Sequence, residues 1–266
     1  MTGPISPPLT LAIDVGGTRL KAAVLNPSGA FIAGPGRVDT PHLAGPEAVL
    51  AALAGIIEPL GPFQRISIGF PGLVRDGTVR TAPNLGNPAW AGFPLADAAA
   101  VRFGAPARLL NDATVQGLGV IDGIGLECVI TLGTGFGFAL FDDGRIAPHL
   151  ELGQHIARGK KTYDAYLGAH ELDRIGPKRW NRRIDRAIVA LDTLIGFDTL
   201  LIGGGNAKRI QTTLPANARI VANEAGITGG VRLWDSKLDD AFPPTASPTA
   251  LDEPGVAPRQ LRRKQP

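Results

Sequence analysis

The chain has 266 residues, 44% hydrophobic and 19% charged, enough for one large domain or two smaller ones and unlike a disordered or fibrous protein. The net charge of +3 comes largely from "KRWNRRIDR" and the terminal "RQLRRKQP", which read as a solvated helix face and a loose tail unless a polyanion binds them. No apolar run reaches the roughly 18–20 residues that span a bilayer, and "MTGPISPPLT" has neither the basic nor the apolar region of a signal peptide. Cys128 is the single cysteine, which excludes an internal disulfide; a cytoplasmic protein with no membrane partner is the simplest expectation.

Residues 9–38 read as a meander of three strands, "LTLAIDV", "RLKAAVL" and "AFIAGPGRV", with "NPSG" as a turn. "PEAVLAALAGIIEPL" has helical spacing and is stopped by Pro59 and Gly61. "RISIGFPG" is a strand ending in a Gly-Pro-Gly loop, and "ADAAAVRFG" a short helix closed by Gly104. "PARLLNDATVQGLG" reads as a strand whose end delivers Asn111 and Asp112 to the start of a helix. Strands alternating with helices predict an α/β architecture, with ligands beyond the carboxyl ends of the strands.

The second half repeats the plan. "CVITLGTGFGFALFDDGRI" and "LAIDVGGTRLKAAVLNPSGAF" share an apolar strand, a Gly/Thr turn, a second strand and a turn opening a third. "RWNRRIDRAIVALDTLIGF" then has helical spacing with a basic face, and "DTLLIGGGNAKRI" is a buried strand ended by Gly203, Gly204 and Gly205. "NEAGITGGVRLW" reads as a last helix with a Gly break; from Asp235 onward, Pro, Ala, Ser and charge predict a disordered tail.

The two Gly-rich turns raise the chemical question. Either alone reads first as an ordinary hairpin. A pair of them, with a third glycine cluster, favours a cradle whose backbone N–H groups hold phosphate oxygens. Thr18 and Thr134 add hydroxyls, Arg19 and Lys21 neutralise charge, and Asp14 is placed to hold a hydrated Mg²⁺. Asp112 is either a helix cap or a general base that takes the proton of a sugar hydroxyl during phosphoryl transfer.

The segments "IDVGGTRLKAAVL", "GFPGLVRDGTVRTAPNL", "LLNDATVQGLG", "TLGTGFGFALFDDG", "ELGQH" and "IGGGNAK", in that order, resemble the ROK family (repressor, open reading frame, kinase) of actin-like ATPases, over about Leu9 to Trp234. "KKTYDAYLGAHELDRIGPKRWNRRIDRAI" is similar to its polyphosphate-using glucokinase branch. The resemblance implies an actin-like (ribonuclease H-like) fold with two duplicated lobes around a central cleft. Residues 1–112 would form a small N-terminal lobe, joined by the last helix at about 222–234; residues 113–221 would form the large C-terminal lobe, followed by the 235–266 tail.

It also implies a sugar kinase that moves a phosphoryl group from inorganic polyphosphate, with ATP as a second donor, to the 6-hydroxyl of glucose. Asp112 matches the catalytic base; Gly72, Asn84, Asn111, Glu151 and Asp164 match sugar-pocket positions. Gly16, Gly17 and Thr18, and Gly133, Thr134 and Gly135, match the two phosphate loops, with Gly204, Gly205 and Lys208 toward the donor's distal end. Partners would be glucose or a related hexose, Mg²⁺, the donor and a second copy of the chain, without DNA.

Three departures stand out. No cysteine-rich zinc motif follows the "ELGQH" segment, so no structural zinc is expected. Gln154 stands where the family has histidine, with His155 after it, and Asp164 stands where it has glutamate. Lys160, Lys161, Lys178, Arg179, Arg182, Arg183, Lys208 and Arg209 are candidates for a basic groove that tracks polyphosphate. The competing readings are a strictly ATP-dependent ROK hexokinase with another hexose preference and a non-catalytic sugar sensor.

Overall fold

The computed structural model describes residues 7–222 and 225–242. Strands β1 (Thr10–Val15), β2 (Arg19–Leu25) and β3 (Phe31–Asp39) form the expected meander. Helix α1 (Pro46–Ile57) leads to β4 (Arg65–Phe70) and a small hairpin, β5 (Val74–Arg75) and β6 (Thr78–Val79). Helix α2 (Leu95–Phe103) ends at Gly104, whose φ of 72° is the left-handed cap that glycine adopts without strain. Strand β7 (Ala107–Asn111) then runs straight into helix α3 (Asp112–Leu118).

The second half contains β8 (Leu126–Leu132), β9 (Phe136–Asp142) and β10 (Arg145–Ile146), then a hairpin of β11 (Ile156–Arg158) and β12 (Lys161–Thr162). Helices α4 (Tyr163–Leu167), α5 (Ala169–Ile175) and α6 (Pro177–Ile195) precede β13 (Thr199–Gly203), β14 (Ala218–Ile220) and α7 (Ala225–Thr228).

The two halves build the same sheet twice. One has the order β3-β2-β1-β4-β7 and the other β10-β9-β8-β13-β14. In each, the meander is antiparallel and the two following strands join parallel. The sequence duplication is therefore a duplication of topology. Each sheet has its own core: Leu11, Ile13, Ile66, Phe70 and Trp90 in the first, Ile130, Phe138, Trp180, Ile184 and Leu200 in the second. Burying such side chains stabilises each by about 1.5–3 kcal/mol relative to exposure.

Helix α3 joins the halves, because Ala113, Val115 and Leu118 pack with Val129, Phe141 and Leu201 of the second sheet. Gly117 makes this approach possible, since a Cβ there would lie 2.4 Å from the Phe141 ring. Position 112 thus lies at the seam between the two sheets.

The chain after β14 is helical with a break at the Gly229-Gly230 pair. Within the described residues α7 lasts one turn and continues as a 3-10 helix, Gly229–Trp234. Gly229 lies so close to α3 that a Cβ would stand 2.2 Å from the Val115 carbonyl, and Ser67 of β4 donates to the Gly230 carbonyl at 2.6 Å. Ile227 and Val231 pack on Ala12, Ala23 and Leu25 of the first sheet.

The disorder expected from Asp235 is corrected as far as Phe242. Ser236–Ala241 forms a 3-10 helix with Leu238 buried. Arg108 orders it: the guanidinium donates to the Leu233 carbonyl at 2.7 Å, pairs with Asp239 at 2.8 Å and lies over the Trp234 and Phe242 rings. Residues 243–266 of the expected tail lie outside the described residues.

Candidate active site

A cavity of about 280 Å³ lies between the sheets, lined by Asp14, Gly16 and Gly17 of the first bend and by Gly133, Thr134 and Gly135 of the second. Asp112, Asn84, Glu151, Asp164, Gly204 and Gly205 complete much of its wall. The two bends are equivalent corners of the duplicated meander, so their convergence follows from the topology.

Each bend is held from behind. Thr40 donates its hydroxyl to the Gly16 carbonyl at 2.6 Å and its N–H to the Thr18 carbonyl at 3.0 Å. At the second bend, the Ala169 N–H donates to the carbonyls of Gly133 and Thr134, and Asn206 donates its amide to Gly133 at 3.1 Å. The Gly16 and Gly133 N–H groups close the two bends onto the carbonyls of Arg19 and Gly135, each at 3.1 Å, so the N–H groups that follow them are what the bends can offer an anion.

The glycines divide into two kinds. Gly204 has φ +86° and would place a Cβ 2.4 Å from the Leu132 carbonyl, so the fold itself requires glycine there. Gly133 and Gly205 have nothing within 4 Å of a built Cβ; the vacant space is cavity.

The β1–β2 register sets Asp14 opposite Lys21, and the ammonium donates to the carboxylate at 2.7 Å. Asp112 is the first residue of α3. Its carboxylate accepts the Ala113 N–H at 2.8 Å, while burial, the Asp14 charge and the Glu151 charge raise its pKa to about 7. Asn111 is the helix cap in fact: its side-chain oxygen accepts from Ala113 and Thr114, and its amide donates to the Gly72 carbonyl at 3.2 Å. Gly72 is a packing requirement, since a Cβ would fall 2.1 Å from the Thr81 carbonyl.

On the opposite wall, Asp164 accepts the Phe136 N–H at 2.7 Å and the Gln154 amide at 2.6 Å, and burial raises its pKa. Gln154 itself lies outside the main cavity, in an adjoining groove that it shares with Glu151 and Trp90. Glu151 lies 3.4 Å from His149, a neighbour that sequence reading missed.

Other expected residues are not brought to the cavity. His155 is exposed and off its wall, as are Thr18 and Lys208. Arg19 is also exposed and faces Asp39 at 3.4 Å. Lys161 and Arg183 are withdrawn from the expected basic groove, because both bind the buried Glu171 together with Arg174. Gln116, Thr131 and Gly226 line the cavity without having been singled out from sequence.

Two five-stranded sheets of one topology, facing each other across a glycine-cornered cleft, are the actin-like, ribonuclease H-like ATPase fold. The ROK family profile matches residues 10–153, over half of the chain, and the chain belongs to the ROK family. It is 28% identical over 233 residues to the polyphosphate glucokinase of Mycobacterium tuberculosis H37Rv, covering 82% of this chain and 88% of that one.

Its structure is similar to the inorganic polyphosphate/ATP-glucomannokinase of Arthrobacter sp. strain KM, with TM-score 0.75, 28% identity, and coverage of 84% of this chain and 97% of that one. A ROK family glucokinase from Streptomyces griseus, solved with glucose and AMPPNP, shares the fold at TM-score 0.70 and 19% identity, over 85% of this chain and 98% of that chain. Among the described residues, no helix is long and apolar enough to cross a membrane.

Proposed function

We propose that this protein is a sugar kinase that transfers a phosphoryl group from inorganic polyphosphate, and from ATP as a second donor, to the 6-hydroxyl of glucose. The observation that carries the reading is the position of Asp112. A carboxylate with a pKa raised to about 7 stands in the same cavity as two bare bends and a carboxylate-lined wall. A general base works best when its pKa lies near the operating pH.

Glucose binds between Asn84, Glu151 and Asp164, whose carboxylates and amide match hydroxyl groups that both donate and accept. Asp164 is pre-oriented by Phe136 and Gln154, and Gln154 thereby acts as its positioning residue. Asn111 acts through Asp112, because its cap fixes where the helix begins. The sugar hydroxyl gives its proton to the Asp112 carboxylate as its oxygen bonds to the terminal phosphorus, and the bridging P–O bond breaks toward the shortened donor.

The first and second bends hold the donor phosphates, and Gly133 and Gly205 leave the room they occupy. The residues fit a hydrated Mg²⁺: Asp14 and Asp112 line a cavity with space for phosphates, and Mg²⁺ takes one or two carboxylates plus substrate oxygens. Asp14 would hold it through water, with Lys21 beside it. When bound, the ion neutralises charge on the donor phosphates.

The polyphosphate reading draws on the charge beyond the glycine loop. Asn181 of α6 bonds the Arg209 carbonyl at 3.0 Å and the Gln211 N–H at 2.7 Å, which sets the first turns of α6 beside the segment that follows Gly204 and Gly205. Lys178, Arg179 and Arg182 belong to those turns and Lys208 and Arg209 to that segment, and none of the five makes an ion pair among the described residues. With Lys161 and Arg183 bound to Glu171, these five and Lys160 remain of the eight cations expected to line a polyanion groove.

The deciding experiment incubates the protein with Mg²⁺, glucose and either donor at two salt concentrations. Glucose 6-phosphate should form, and the polyphosphate rate should fall steeply with salt, as charge-tracking binding requires. Absence of product from both donors, with glucose and with mannose, overturns the kinase reading. A salt-indifferent polyphosphate rate removes the basic track.

A paired substitution tests the loops. Gly204→Ala should lower stability by at least about 1 kcal/mol, because its backbone conformation excludes a side chain. Gly133→Ala should leave the melting temperature in place and raise the donor KM, since its methyl enters only the cavity. Loss of stability in the second variant, without a change in donor KM, would assign Gly133 to the fold instead.

A further inference from the structure

Helix α3 carries a glutamine that the chemistry above leaves unused. Gln116 is 6% exposed, yet its amide nitrogen has no hydrogen-bond partner. Buried amides are nearly always paired, because an unmet donor keeps its full desolvation cost. The other buried amides here obey the rule: Asn111 caps α3 and Asn181 ties α6 to the Arg209 carbonyl and the Gln211 N–H. The Gln116 side chain lies instead on the cavity wall with Thr131, Gly204 and Gly205. Its nitrogen abuts Gly203, where a built Cβ would stand only 2.4 Å away, so the bare end of β13 is what leaves room for it.

Gln116 follows Asp112 by four residues and shares its face of the helix, roughly 5–6 Å away between Cβ atoms. The carboxylate meets the acceptor oxygen, so the amide lies one turn along, toward the glycines of the second and third loops. We infer that Gln116 is a donor-binding residue, whose amide N–H donates to a non-bridging oxygen of the phosphoryl chain. A half-turn about the terminal torsion exchanges the amide's two ends, so the donor can be presented without breaking a bond to its nitrogen. The inference rests on the kinase reading for the identity of the ligand.

The test is calorimetric titration of wild type, Gln116→Met and Gln116→Glu, with tripolyphosphate plus Mg²⁺ and separately with glucose. Methionine conserves volume and removes the donor. It should weaken tripolyphosphate binding about 10-fold or more, as loss of a hydrogen bond to a charged group does, with glucose affinity within about two-fold of wild type. Glutamate should bind tripolyphosphate more weakly than methionine, by charge repulsion. The ligand-free Gln116→Met protein should melt no lower than wild type; if it does not fold, Gln116→Ala takes its place. Equal tripolyphosphate affinity in wild type and Gln116→Met, or a parallel loss of glucose affinity, overturns the inference.

The titration needs no turnover, so the two readings fail separately. Tripolyphosphate binding that depends on Gln116, in a protein that makes no sugar phosphate, removes the kinase and keeps the anion contact. Normal turnover with unchanged variant affinities does the reverse.

Discussion

Asp112→Asn should lower kcat by roughly 10²–10⁴-fold, the usual worth of a positioned general base, with glucose affinity largely kept. The amide fills the same space and can still accept the Ala113 N–H, but it cannot take a proton. The wild-type rate should carry the matching signature. Only the ionised carboxylate accepts the hydroxyl proton, so kcat/KM should fall as pH drops through about 7, where burial and the Asp14 charge place the Asp112 pKa. Near-normal turnover in the variant would remove Asp112 as base.

A stability effect of opposite sense accompanies this one. The folded pKa lies above the ordinary value of 3.8, so the neutral carboxyl suits the fold and stability is lost as pH rises toward 7. Because the side chain still meets solvent in the cavity, the cost at pH 8 is modest, about 1–2 kcal/mol. Asp112→Asn removes it, and the inactive variant should melt higher than wild type at pH 8 and alike at pH 4. A lower melting temperature at pH 8 would show the carboxylate to be structural.

Glu171→Ala should be the most damaging change away from the cavity. The carboxylate is 3% exposed and binds cations from three elements: Lys161 of β12, Arg174 of α5 and Arg183 of α6. Arg183 also donates to the Tyr166 carbonyl at 3.0 Å and lies over the Tyr166 ring. Removing one member of a buried ionic cluster costs about 3–5 kcal/mol, and here the lower figure applies because Lys161 and Arg174 can turn to water. Thermal unfolding measures this, and an unchanged melting temperature would show that the cluster contributes nothing.

Its pH dependence runs opposite to that of Asp112. Arg174, opposed in part by burial and assisted by Lys161 and Arg183, holds the Glu171 carboxyl well below its ordinary value of 4.5. Its stabilisation is present above that value and lost as pH falls below it. Acid should therefore narrow the gap between wild type and Glu171→Ala.

Long alternating segments made much of the fold legible. β1, β2, β8, β9 and β13 carry period-2 or continuous apolar patterns bounded by glycine, and α1, α2 and α6 carry helical ones. The short hairpins β5–β6 and β11–β12, strand β14 and helices α4 and α5 span too few residues for any period to show. The order after Asp235 was hidden because Arg108, Trp234 and Phe242 that create it are far apart in sequence or embedded in a polar, proline-rich context.

By itself the sequence determined the duplicated strand–turn–strand plan, the bare bends and an Asn-Asp pair at a strand-to-helix junction, because each is written in consecutive residues. Only the tertiary structure decided which side chains meet. Packing of two separate sheets on α3 gave Asp112 its half-buried setting beside the Asp14 charge, turned Asn111 into a cap, tied Lys161 and Arg183 to Glu171, and left the Gln116 amide nitrogen unpaired. Partner choice depends on distances between elements, and distance along the chain does not encode it.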